Sequence, residues 1–332
     1  MIHGVGTDGV RKDEGVKKLS LFLWVLCFSF ILMTSCSVSD TIDFELYFDN
    51  RQIRQKTLVF ISETKTSLDI CNYDIEDPQI LNIIKDTAEN GIMVRIVTEK
   101  DNSLAVRKLS EVCKIVTDED AGLMHCKYMI ADNVMLWGGS TNLTTTSLDE
   151  HYNDVFITTD PLILRRFSNH FEQSFQGNFK EKRISGQEKG NVFFSPEDDT
   201  FSRFMEILSS ARQEILIGIY AFSDYRIAHF LKVLSAHGVR ILIFADSDWN
   251  ANNPYSQTKE LERYTLVRYD LLEPGLMHEK FIVVDSETVL FGTYNFTASA
   301  ETKNDEYYIV SRNKDTVHSF RERFYELWDA CE

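Results

Sequence analysis

The chain has 332 residues, of which 43% are hydrophobic and 12% aromatic, with few Gly and Pro. That length allows about two domains at ~150 residues each, or one body of two fused halves, and the composition leaves little room for disorder. The formal charge of −16 argues against long nucleic acids, because an acidic surface repels polyphosphate backbones, while local positive potential inside a cleft stays open.

In chain order, Lys17 and Lys18 precede an apolar run of 15 residues, Leu19 to Met33, which ends at Thr34-Ser35-Cys36. The run falls short of the ~20 residues that span a bilayer and matches the h-region of a secretory signal. Small residues before a Cys resemble a bacterial lipoprotein processing site. Residues 1–35 are therefore expected to be a leader, Cys36 the lipidated residue, and the protein exported and membrane-anchored on the periplasmic or cell-surface side. An uncleaved anchor or an ordinary cleaved signal are the alternatives. Of the six Cys, Cys71, Cys113, Cys126 and Cys331 remain for the body. No C-x-x-C spacing occurs, so buried or free thiols are expected, although an exported location permits a disulfide.

The body reads as one series of elements written twice. In the first half, taken as residues 41–177, the series runs over Leu58 to Thr64, Ser67 to Cys71, a helix from Pro78 to Asn90 closed by Gly91, and Met93 to Val97. Residues 178–190 are polar without an apolar period and read as a linker. In the second half, 191–332, a strand-like run at Asn191 to Pro196 precedes a helical spacing of Phe201, Phe204, Ile207 and Leu208. A buried-strand run at Glu214 to Tyr220, a helix from Tyr225 to His237 closed by Gly238, and a strand from Val239 to Phe244 follow. Alternating strands and helices predict an α/β fold around mixed or parallel sheets. Phe167, Phe171 and Phe175, matched by Phe320, Phe324 and Trp328, are core stripes of two helices.

The repeat is strictest around two histidines. Gly122-Leu123-Met124-His125-Cys126-Lys127 with Asp132 is repeated 153 residues later as Gly275-Leu276-Met277-His278-Glu279-Lys280 with Asp285. Gly139-Ser140-Thr141-Asn142 is matched by Gly292-Thr293-Tyr294-Asn295. Each His and Lys are two apart, on one face of a strand, and Val134 to Gly138 and Thr288 to Gly292 read as return strands bringing Ser140, Asn142, Thr293 and Asn295 to the same end. Two His and two Lys, with matched Asn, suit one tetrahedral anion. A phosphodiester needs a nucleophile, an acid and charge neutralisation, and two His on opposite sides of phosphorus permit in-line displacement. Lys127, Lys280, Asn142 and Asn295 would stabilise the charge developing on the nonbridging oxygens.

This doubled His-x-Lys-x4-Asp pattern resembles the phospholipase D superfamily, over about residues 42–330. The resemblance implies two pseudo-symmetric α/β/α halves around one site, a phosphohistidine formed on His125, and His278 as acid and then base. It implies a catalytic set of His125, Lys127, Asp132, His278, Lys280 and Asp285, in which the two Asp bond the turn and support Lys rather than touch phosphate. It implies phosphate binding by Ser140, Asn142, Thr293 and Asn295, and His-orienting acids at Glu306, after Asn304, and Asp154, after Asn153. No cofactor and no metal are implied, since the other His (His3, His151, His170, His229, His237, His318) form no ligand spacing; His151 is the nearest to the site in sequence. The expected activity is hydrolysis of phospholipid head-group diesters at a phospholipid membrane, by a monomer. The alternatives are an endonuclease, nucleic acid being the less favoured partner, a cardiolipin-synthase-like phosphatidyl transferase, or a nonenzymatic binding protein. Asp246 to Tyr255, with Trp249 and Tyr255, either line the substrate mouth or form a surface loop.

Overall fold

The computed structural model describes residues 43–180, 190–271 and 275–331. The leader, Cys36 and linker residues 181–189 lie outside the described residues.

Two seven-stranded mixed sheets carry the fold. The first takes its strands from one half of the sequence, in the order β1-β7-β6-β5-β2-β3-β4: β1 Glu45–Tyr47, β2 Ser67–Asn72, β3 Met93–Glu99, β4 Lys114–Asp118, β5 Lys127–Ala131, β6 Met135–Gly139 and β7 Val155–Thr158. The second repeats the pattern as β11-β10-β9-β12-β13-β14-β8: β8 Val192–Ser195, β9 Glu214–Ile219, β10 Arg240–Ala245, β11 Leu266–Tyr269, β12 Lys280–Val284, β13 Thr288–Gly292 and β14 Glu306–Ser311. In each sheet three strands run parallel and the rest antiparallel. Helices follow the parallel strands, as crossover connections require. Pro78–Glu89 starts on an Asp77 side chain that accepts from Gln79 and Ile80 N–H, with Pro at the first helical turn.

Of Leu58 to Thr64, Leu58 to Ser62 end a helix, Asn50–Ser62, capped by Asp49, and Glu63 and Thr64 follow it. The strands β4 and β11 escape sequence periodicity because both are sheet edges with half-exposed residues. The loop Asp246 to Tyr255 contains a short helix, Ser247–Asn252, with Tyr255 exposed.

The aromatic stripes line the core where the sheets meet: Phe167, Phe171, Phe320 and Phe324 are fully buried in one cluster with Tyr128, Phe281, Phe291 and Tyr307. Each half also has its own core under the outer helices. Cys71, Cys113, Cys126 and Cys331 are free thiols, the first three buried.

Candidate active site

β5 and β12 position the two motifs. Lys127 opens β5 opposite Asn72 of β2, and Lys280 opens β12 opposite Ile219 of β9. The segments before these strands cross to the other half. His125 N–H donates to the Asp305 carbonyl at 2.9 Å and His278 N–H to the Tyr152 carbonyl at 2.9 Å. The motif glycines permit that crossing: a Cβ on Gly122 would lie 2.1 Å from the Lys303 carbonyl oxygen, and one on Gly275 would lie 2.2 Å from that of Glu150.

The imidazoles are also partnered across the halves. His125 Nδ1 lies 2.7 Å from Glu306 Oε2, and His278 Nδ1 lies 2.9 Å from Asn153 Oδ1. Both partners are fully buried and the two His nearly so. Each Lys donates its ammonium to the carbonyl of the His two residues before it, Lys127 to His125 at 2.8 Å and Lys280 to His278. A tyrosine completes each side: Tyr73 meets His125 edge-on at 5.0 Å and Tyr220 meets His278 at 5.1 Å. Lys127 and Lys280 Nζ stand 5.1 and 5.2 Å from the same two ring centres.

Burial and like charge make all four of these groups give up protons more readily than usual. Burial is the main cause that lowers His125, with Lys127 adding to it against Glu306. Burial and then Lys280 and Lys127 hold His278 well below its ordinary value, and His125 also contributes, so the two rings feel one another. Burial likewise lowers Lys127 to about 8, and Lys280 is held well below its usual range by burial and Lys127. A bound phosphate would reverse these shifts.

Two expectations require correction, one for Asp154 and one for Ser140 and Thr293, and a third, for Asp132 and Asp285, holds in part. Asp154 does not orient His278: both its carboxylate oxygens are buried without a hydrogen-bond partner, and Asn153 occupies the orienting position. Asn153 stands 153 residues before Glu306, so the repeat offset itself points to it. Asp132 and Asp285 bond their turns as expected but do not support the lysines, because they lie at the opposite ends of β5 and β12 from them. With Asn133 and Ser286 they form two-residue turns in which both residues have positive φ. Asp132 accepts from the N–H groups of Lys65, Thr66 and Ser67, and Asp285 from those of Arg212, Gln213 and Glu214.

Ser140 and Thr293 are fully buried and spent on protein partners rather than available to phosphate. Ser140 Oγ donates to Asn153 Oδ1 and accepts from Asp154 N–H, both at 2.9 Å. Thr293 Oγ1 accepts from Tyr307 N–H at 3.0 Å. The remaining pair, Asn142 and Asn295, is half-buried; Asn295 Oδ1 accepts from Ala221 N–H. The residues that sequence reasoning left out are Asn153, Tyr73 and Tyr220. The tyrosines end the parallel strands β2 and β9, outside any repeated motif. His151, whose ring centre is 5.8 Å from that of His278, is lowered to about 4 by burial and Lys280.

A family model described as "Cardiolipin synthase, PLD-like domain" matches residues 58–175 and 204–328, both halves of the body. The chain belongs to this phospholipase D-like family. Among curated relatives of the family, it is 31% identical over 133 residues to the mitochondrial cardiolipin hydrolase of Homo sapiens, covering 40% of this chain and 52% of that one. It is also 31% identical over 133 residues to a phospholipase D of Rickettsia bellii, covering 40% and 65%. The chain thus spans roughly half to two thirds of the length of the curated relatives it matches. The phospholipase D-like fold is further shown by a phosphatidylserine synthase of Haemophilus influenzae, with a TM-score of 0.69 at 11% identity over 88% of this chain and 89% of that one.

Proposed function

We propose that this protein is a membrane-surface phosphodiesterase of the phospholipase D type that cleaves the head-group diester of phospholipids. The observation that carries the reading is the crossed pairing His125–Glu306 and His278–Asn153, which assembles two dissimilar imidazoles beside two buried lysines. The relatives named for cardiolipin hydrolase and phospholipase D activity support a lipid substrate, and so does the acidic surface charge, which disfavours polynucleotides.

The dissimilar partners support a division of roles. Attack by His125 Nε2 on phosphorus puts positive charge on its ring, and Glu306 at Nδ1 stabilises that charge as a carboxylate must. The P–O bond to the head-group alcohol breaks, and His278 Nε2 gives the departing alkoxide its proton. Asn153 carries no charge, so it fixes the tautomer of His278 without holding a proton on the ring, which suits a group that must give one up and take one back. In the second step water attacks the phosphohistidine, loses its proton to His278, and the P–N bond breaks to leave a phosphatidate and free His125. Lys127 and Lys280, with Asn142 and Asn295, neutralise the nonbridging oxygens. An alcohol in place of water gives phosphatidyl transfer by the same steps.

The apolar run before Cys36 supports attachment to the membrane that supplies the substrate. The test is an assay of the full chain and a His125→Ala control on phosphatidylcholine, phosphatidylethanolamine, cardiolipin, single-stranded DNA and RNA, with the phosphoenzyme trapped by acid quench and mapped. Lipid cleavage lost in the control, with label on His125, is expected. Cleavage of nucleic acid alone would overturn the lipid substrate, and label on His278 would reverse the roles.

A further inference from the structure

Behind each catalytic histidine the helix that closes its half places a cation in the core at one matched position, Arg166 of the first helix being buried besides. In the first half it is His170, from Pro161–Phe175, and in the second Arg323, from Lys314–Asp329. The two are separated by the same 153 residues as the catalytic pair, and so are Cys126 and Glu279, the residues that follow the catalytic histidines. His170 is fully buried, with Nε2 2.9 Å from Asp305 Oδ1, Nδ1 2.7 Å from the Tyr128 hydroxyl, and its ring stacked on Phe194 at 4.1 Å. Arg323, 6% exposed, donates from Nε to Glu279 Oε1 at 2.8 Å and lies over the Tyr152 ring at 5.2 Å.

The residues these cations hold are the backbone supports of the catalytic imidazoles. Asp305 accepts the N–H of His125 on its carbonyl, and the next residue is Glu306. Tyr152 accepts the N–H of His278 in the same way, and the next residue is Asn153. A shift of either support therefore moves both ends of one imidazole together. We propose that His170 and Arg323 are positioning residues, each fixing through Asp305 or Tyr152 the backbone and side-chain partners of one catalytic histidine.

Cys126, His170 and Asp305 are close enough to share a metal ion. The other half decides against that use, because at the places of Cys126 and His170 it has Glu279 and Arg323, an ion pair. The first half then holds the corresponding pair of His170 and Asp305, and burial opposes but does not overcome the Asp305 carboxylate that raises His170 to about 10.

This inference rests on the phosphodiesterase reading for its kinetics and not for its spectroscopy. The variants are His170→Gln, Arg323→Met and Arg323→Lys in the full chain, with Asp305→Asn as the second route should His170→Gln fail to fold. Expected are kcat values at least tenfold lower for His170→Gln and Arg323→Met with KM within about twofold, and recovery in Arg323→Lys. Phosphoenzyme formation should slow in His170→Gln and its breakdown in Arg323→Met. Nitrogen-15 NMR of the imidazoles, which needs no substrate, should show His125 holding its proton on Nδ1 in the parent and losing that preference in His170→Gln or Asp305→Asn. Folded variants with parental kcat and an unchanged His125 spectrum would overturn the proposal, as would one tightly bound metal ion per chain. A parent inactive on every diester, with the spectral change intact, would count against the phosphodiesterase reading alone.

Discussion

Asn153 and Asp154 are adjacent residues with opposite assignments. Replacing Asn153 by Ala removes the acceptor at His278 Nδ1 and frees the ring to change tautomer, so kcat should fall by about 10²–10³, the scale of losing a positioned acid–base group, with KM nearly unchanged in steady-state assays. Asp154→Asn should retain activity. Burial, with Glu279 adding to it, raises Asp154 to about 7. The folded state therefore keeps a proton that the unfolded chain releases from about pH 4, and this group's contribution to stability falls as pH rises from about 4 to 7. Asn carries no such proton, so the gain in Tm of Asp154→Asn over the parent should be larger at pH 8 than at pH 5. Equal gains at both would show that Asp154 is not buried as an acid. Lys127, lowered to about 8 by burial, gives a third expectation. An anion bound beside it favours the charged form, so inorganic phosphate should bind with proton uptake near pH 8, read by calorimetry in buffers of different ionisation enthalpy. No uptake between pH 7 and 9 would remove Lys127 from the phosphate site.

At the scale of elements, the motif aspartates act through a turn. Asp132 and Asp285 each hold three backbone N–H groups at the start of β2 and β9, which pins the hairpin end of the motif strand to the neighbouring strand. Asp132→Ala should cost about 2–3 kcal/mol of stability, read by denaturant unfolding, while the folded fraction keeps its kcat; a large loss of kcat in fully folded protein would return Asp132 to the chemistry. The turn role was expected from the family resemblance; what spacing could not show is that the five-residue strand Lys127–Ala131 sets Asp132 too far from Lys127 to support it. The elements with strong periodicity were readable: Glu214 to Tyr220, Tyr225 to His237 and Val239 to Phe244 match β9, the helix Tyr225–Ala236 and β10 within a residue or two. Leu58 to Thr64 marked only the end of its element, because its apolar residues finish a longer helix whose start, on Asp49, carries mostly polar side chains. Tyr73 and Tyr220 were invisible for another reason, since strand ends that face a site bear no periodic signal, and only the fold brings them under the lysines.

For the whole molecule, the crossing of partners matters more than the duplication. His125 depends on Glu306 and His278 on Asn153, so neither half completes even its own histidine. A single chain supplies all four groups, and one chain should suffice for activity. Mixing His125→Ala with His278→Ala tests this. If each chain closes its own site, every molecule in the mixture lacks one catalytic histidine and activity stays at the level of the single variants. Exchange of halves between chains would instead reunite intact His125 and His278 in one of the two sites of a dimer. Recovery of a sizeable share of parental activity that grows with protein concentration would then show an exchanged dimer, and absence of recovery at all concentrations is the outcome expected from the crossed pairs within one chain.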